Sequence, residues 1–212
     1  SLWIGNNDVL SYATSGGTNS QTSGGVTTYT AATFQTGNLN PASYKSNDIS
    51  DPNLVAGVIK SILDGMKSVG ATKGVIANIP DVASVPFFTR VPYNAIPLSA
   101  AKAQALNAGL YQNLKSALTY LGAGTRINLV KEGDNPVLII DNKLTDLSAQ
   151  LTAVLLAGGA APTDAAFLGK AFGQVRQATS ADLILLTASN FLGKDVLTGQ
   201  GATETSKFIY GA

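Results

Sequence analysis

The sequence predicts an α/β protein, a three-layer α/β/α domain built on a mostly parallel sheet, and three observations carry that expectation. Residues 73–79 and 182–187 are contiguous apolar runs without polar alternation, the pattern of strands buried on both faces. Residues 51–66 and 99–121 repeat apolar side chains at helical spacing, so each has one face to bury. Around Gly70 a helix, a short turn and a strand follow one another, which is the unit from which such layered folds are assembled.

In chain order, Leu2 to Ile4 reads as a strand, and Gly5, Asn6, Asn7 and Asp8 as the turn that leaves it. Asp8 is placed to cap a short helix through Val9, Leu10 and Tyr12. Residues 11–50 form a polar insertion: 24 of the 40 are Ser, Thr, Gly or Asn, and only Lys45 and Asp48 are charged. A loop of that length reads as flexible or lid-like, and such loops are often functional. Asp51 followed by Pro52 starts a helix, because the side chain can cap and the missing proline N–H costs nothing in the first turn. Its apolar positions, Leu54, Val55, Val58, Ile59, Ile62, Leu63 and Met66, define a buried face.

Beyond the strand at 73–79, four prolines (80, 86, 92 and 97) mark an ordered irregular stretch. Ser99 opens a second long helix with Ala103, Leu106, Leu110, Leu114, Leu118 and Leu121 buried, and Gly122 stops it. Residues 127–130 and 137–140 flank a turn-like segment and read as a hairpin. Asp164 caps a third helix through Phe167, Leu168 and Phe172, residues 182–187 make a last buried strand, and the Gly- and Thr-rich tail shows no pattern. Neither a repeat nor a shift in composition divides the chain, so residues 1–212 read as one domain, expected to be incomplete at both ends, with an apolar strand beginning at once.

The chain has 14 Lys and Arg against 13 Asp and Glu, with 13% charged residues overall. That balance, without a basic cluster, leaves no electrostatic footprint for nucleic acid or an anionic membrane. The most apolar stretch, 151–161, is broken by Thr152, Gly158 and Gly159 and is too short for a transmembrane segment. With no cysteine and no histidine, these residues cannot form a disulfide, a thiolate nucleophile, an ordinary zinc site or a Ser-His-Asp triad. A charge-poor surface without cysteine fits an exported protein, periplasmic, cell-surface or extracellular.

The sharpest local signal is Trp3-Ile4-Gly5-Asn6-Asn7-Asp8 at a strand exit. An amide there can aim its N–H at a developing oxyanion, and glycine allows the tight turn that directs it. The same residues also suit an ordinary turn and helix start. Ser11, Ser15 and Ser189 are the candidate hydroxyls, but a serine needs an adjacent base and no partner pair stands out. Asp81 reads as a turn former or a substrate contact. Gly169-Lys170 lacks the earlier glycine of a phosphate loop, and residues 82–88 could line an acyl groove or simply pack down.

The Gly5-x-Asn7-Asp8 block in its Trp-Ile-Gly-Asn-Asn-Asp-Val-Leu context resembles the third conserved block of the SGNH, or GDSL, hydrolases, and is similar to bacterial GDSL-type lipases. The stretches at 74–82, continuing to Pro86, Phe87 and Phe88, and at 182–193 also look like that group. The resemblance implies a flavodoxin-like topology and a serine-type hydrolase of a small-molecule or lipid-like carboxylic ester, with no metal or organic cofactor. It assigns Asn7 as an oxyanion-hole donor, with Gly5 and Asp8 supporting the turn. The family's Gly-Asp-Ser nucleophile block and its Asp-x-x-His block are both absent, so the resemblance places nucleophile and base outside these residues and implies that the chain is inactive alone. The competing expectation is a non-catalytic surface module on the same scaffold, its polar insertion engaging glycan or protein.

Overall fold

Asp51 does cap the longest helix: its carboxylate accepts the Asn53 N–H at 2.9 Å, and Pro52 occupies the first turn. In the computed structural model, which describes residues 1–194 and 211, the chain divides into two units, Ser1–Phe88 and Thr89–Ala212. The first contains α1 (Asn6–Thr14), β1 (Thr18–Ser23), β2 (Val26–Ala31), β3 (Phe34–Gln35), β4 (Ile49–Ser50) and α2 (Pro52–Ser68), and α3 (Pro86–Thr89) stands at its end. The second contains β5 (Ile96–Leu98), α4 (Ala100–Leu106), a π-helical turn (Asn107–Tyr111) and α5 (Gln112–Tyr120). It continues with β6 (Gly133–Asn135), β7 (Leu138–Ile140), α6 (Ser148–Ala157), α7 (Pro162–Phe172) and β8 (Val175–Gln177).

The expected three-layer α/β/α arrangement around a mostly parallel sheet, and with it the flavodoxin-like topology, is not what forms. Among the described residues the sheets are four two-stranded pairs: β1-β2, β5-β6 and β7-β8 are antiparallel, and only β3-β4 is parallel. The apolar runs that predicted central strands scarcely enter ladders. Residues 73–79 contribute one parallel bridge, Leu2 to Ile76, and residues 182–187 one antiparallel bridge, Val91 to Ile184, before Leu186 opens a 3-10 turn. An apolar run states a preference for burial but does not name its ladder partner.

The hairpin expected around residues 131–136 is also replaced. The buried Asn135 side chain accepts the Lys131 N–H at 2.8 Å and donates to the Lys131 and Gly133 carbonyls at 2.7 and 2.8 Å. This closes the turn on itself, β6 pairs with β5, and β7 pairs with β8 through Ile139 opposite Arg176. Arg176 then clamps the segment: Nε donates to Asp141 at 2.7 Å, while the two terminal nitrogens grip Asp182 at 2.7 and 2.8 Å. Hydrogen bonds from Arg176 hold the Asp182 carboxyl well below the usual carboxylate range.

The core of the second unit follows the helical pattern closely. Ser99 caps α4 by accepting the Lys102 N–H at 3.1 Å, Gly122 ends α5 with φ of 73°, and Ala103, Leu106, Leu110, Leu114 and Leu118 are buried, with Leu121 half-buried. Between α4 and α5 the π-helical turn buries Tyr111, whose hydroxyl has no hydrogen-bond partner among the described residues. Leu151 and Leu155 of α6 and Ala165 and Phe172 of α7 join the same cluster. The two helices touch closely because Gly169 has no side chain; a Cβ there would run into Thr152 and lie 2.7 Å from the Ser148 carbonyl oxygen. Pro162 begins α7, and Asp164 sits in its first turn without capping it, contrary to expectation.

The first unit is organised differently. The apolar stripe of α2 is half-buried, with Val58 exposed, and Phe88 is the only buried apolar side chain described in this unit. Its buried groups are otherwise polar: Asn19, Asp48 and Asp51. The Asp48 carboxylate accepts from Asn19 at 2.8 Å, Gln35 at 2.6 Å, the Thr33 N–H at 2.8 Å and the Lys45 N–H at 3.0 Å. The polar insertion is thus laced together by hydrogen bonds. Beyond Asn19 its β1-β2 hairpin is exposed, turning at Gly24 and Gly25 with φ of 58° and 79°. Among the described residues no helix is long and apolar enough to cross a membrane.

Candidate functional site

The candidate site is built on the turn between Leu2 and α1. Leu2 donates its N–H to the Val75 carbonyl at 2.9 Å and accepts the Ala77 N–H at 3.0 Å, so the two segments run parallel and leave in the same direction. Gly5 then takes a left-handed conformation, φ 88° and ψ −14°, which redirects the chain into α1. A Cβ at Gly5 would lie 3.0 Å from Ile79 Cδ1, so both the dihedral angle and the close approach favour glycine.

Asn6, Asn7 and Asp8 form the first turn of α1. Neither Asn6 nor Asp8 caps it, and the Asp8 carboxylate instead accepts the Ser50 N–H at 2.9 Å, fixing α1 against β4. Asn7 is exposed, and its amide makes no hydrogen bond among the described residues. A free amide on a turn held by a left-handed glycine and a charged hydrogen bond can donate to an anionic oxygen, and the positive end of the helix dipole adds to that preference.

Other sequence-derived candidates have local partners. Asp81 accepts the Ala83 N–H at 2.9 Å and caps the 3-10 turn Val82–Ser84, which is a structural role. Ser15 donates to Tyr12 at 2.9 Å and Ser189 to Leu186 at 2.6 Å, so both hydroxyls are spent on their own turns. Ser11 lies one helical turn after Asn7 on α1. Gly169 and Lys170 lie in the last turn of α7. In the 82–88 segment Phe88 is buried and meets Phe87 edge to face at 5.3 Å, so the loop packs down on its own aromatics. Among the described residues no group of acidic, His or Cys side chains could hold a metal ion.

Two supports of the turn, the Ser50 amide and the Ile79 side chain, were not apparent from the sequence. Each lies more than 40 residues away, and nothing in the local pattern around Gly5 specifies a partner at that distance. In comparisons with known proteins the chain matches no family model, no curated protein and no solved structure.

Proposed function

We propose that this chain is part of an SGNH/GDSL-like ester hydrolase, acting on a small-molecule or lipid-like carboxylic ester, in which the Asn7 side-chain amide is an oxyanion-hole donor. The observation that carries the reading is the unengaged Asn7 amide on a turn held by Gly5 and by the Asp8–Ser50 hydrogen bond. In acyl transfer the base takes the serine proton as the serine oxygen attacks the ester carbon, the carbonyl oxygen becomes an oxyanion, and its collapse breaks the C–O bond so that the alcohol leaves with that proton; water then repeats both steps on the acyl-serine and releases the acid. Asn7 donates an N–H to that oxygen as its charge develops, while Gly5 and Asp8 keep the amide from having to reorganise.

The 212 residues contain no histidine and no Gly-Asp-Ser block, so in this scheme the nucleophile and base come from sequence outside them, and the chain by itself is inactive. The scheme needs no metal or organic cofactor and no nucleic acid, and an exported location suits the charge-poor composition.

The encoding gene and an esterase assay test the reading together. A Gly-Asp-Ser block upstream and an Asp-x-x-His block downstream are expected, and in that gene product Asn7→Ala should lower turnover of a short-chain nitrophenyl ester by roughly a hundredfold or more. Absence of both blocks, or unchanged turnover in the variant, overturns the proposal.

A further inference from the structure

The β1-β2 hairpin carries a face with its own chemistry. Thr18 and Ala31, Ser20 and Tyr29, and Thr22 and Thr27 are opposed pairs. Alternate residues of a strand share a side, so these six side chains form one face. Asn19 belongs to the other face, where it is buried, donating to Asp48 and accepting the Asn47 N–H at 2.9 Å. From Ser20 and Tyr29 to Thr22 and Thr27 this face lies opposite the side on which Asn19 anchors the hairpin, while Thr18 at its base touches the end of α1.

Tyr29 is 70% exposed at the middle of this face, bracketed by the hydroxyls of Thr18, Ser20, Thr22 and Thr27. The Thr22 and Thr27 hydroxyls bond to each other at 2.9 Å, and Thr18 donates to the Ser15 carbonyl at 2.8 Å. Those contacts fix the hydroxyls in place while leaving acceptor lone pairs on their oxygens. No residue from 11 to 44 is charged.

This chemistry selects among partners. Nucleic acid and anionic lipid are drawn by cationic side chains, which the hairpin lacks. A protein interface is organised on a desolvated apolar centre, whereas here a single ring and Ala31 are set among hydroxyls. An uncharged molecule with a C–H face and many hydroxyls matches both components: the negative face of an aromatic ring attracts C–H edges, and a serine or threonine hydroxyl can both donate and accept.

We propose that the Tyr29 face of the hairpin binds a neutral polysaccharide, with one sugar ring lying on the phenol ring and its hydroxyls reaching Ser20, Thr22 and Thr27. This binding does not depend on the hydrolase reading, because it uses none of Gly5, Asn7 or Asp8.

Affinity electrophoresis of the full chain in native gels containing xylan, galactomannan, mixed-linkage β-glucan or soluble starch tests it, with pull-down on cellulose and chitin. Retardation or retention by at least one is expected, reduced at least fivefold by Tyr29→Ala and retained by Tyr29→Trp. Val26→Ala, on the opposite face, should bind as the parent does. Ser20→Asp, which keeps the ring but adds a charge beside it, should also bind at least fivefold less. The proposal is overturned by no binding to any of these polysaccharides, by binding indifferent to Tyr29→Ala, or by binding only to anionic probes such as alginate gels or phosphatidylglycerol vesicles.

Discussion

The Asp8 carboxylate accepts the Ser50 N–H at 2.9 Å, tying the first turn of α1 to the residue just before the α2 cap, Asp51. Hydrogen bonds to charged groups are worth more than neutral ones, and this one closes 42 residues of chain. Asp8→Ala should therefore destabilise the first unit by about 1.5 to 3 kcal/mol. Urea unfolding followed by far-UV circular dichroism reads the loss; an unchanged midpoint and slope would mean the bond contributes nothing.

Gly5→Ala tests the same turn from the backbone side. A non-glycine residue at φ of 88° costs about 1 to 2 kcal/mol, and the added Cβ presses on Ile79 Cδ1. A drop in thermal midpoint is expected, with partial recovery in the Gly5→Ala/Ile79→Ala double variant, which relieves the contact but not the dihedral strain. Full recovery would show that sterics alone select glycine.

Acid should loosen the polar insertion in a defined window. Burial raises the Asp48 pKa, but hydrogen bonds from Thr33, Lys45, Asn19 and Gln35 outweigh it and lower the value from 3.8 to about 2. A carboxyl lowered on folding stabilises fully above its unfolded value and loses that contribution as pH falls through its folded value. Hydrogen exchange of the Thr33 and Lys45 amides should thus lose protection between about pH 4 and pH 2, beyond the intrinsic pH dependence of exchange. Asp48→Asn should flatten that dependence, and a dependence that persists in the variant rejects Asp48 as its source.

Tyr111→Phe should be neutral or stabilising by up to about 1 kcal/mol, since it removes a buried hydroxyl that finds no partner among the described residues and leaves the ring in place. Burial pushes the Tyr111 hydroxyl above its ordinary pKa, so the phenol stays protonated at any working pH. A thermal midpoint several degrees lower in the variant would show that the hydroxyl has a partner in solution.

Helix starts and stops were legible in the sequence where a side chain or a proline acts locally. Asp51 with Pro52, Ser99 and Gly122 each behave as their chemistry predicts. The sheet was not legible, because pairing is decided between distant segments. Nothing near Leu138 to Ile140 announces β8 as its partner, and Asn135 closes the preceding turn with bonds that its residue type alone does not specify. Helix α6 was hidden because its three polar residues, Ser148, Gln150 and Thr152, do not gather on one face, so no period stands out. At the site, Gly5 and the exposed Asn7 were readable, whereas the supports from Ser50 and Ile79 were not.

The hairpin tip at Gly24 and Gly25 gives the first unit a place where extra chain can be accommodated. Both glycines have positive φ, and neither would bring a Cβ within 4 Å of another atom. The hydrogen bonds of Asp8 and Asp48 gather the chain on either side of the excursion well before the tip. Inserted residues would lengthen a loop whose closure entropy grows only logarithmically, by about 0.6 kcal/mol per doubling. The tip is therefore the natural point for grafting a tag, with the Asn7 turn left undisturbed.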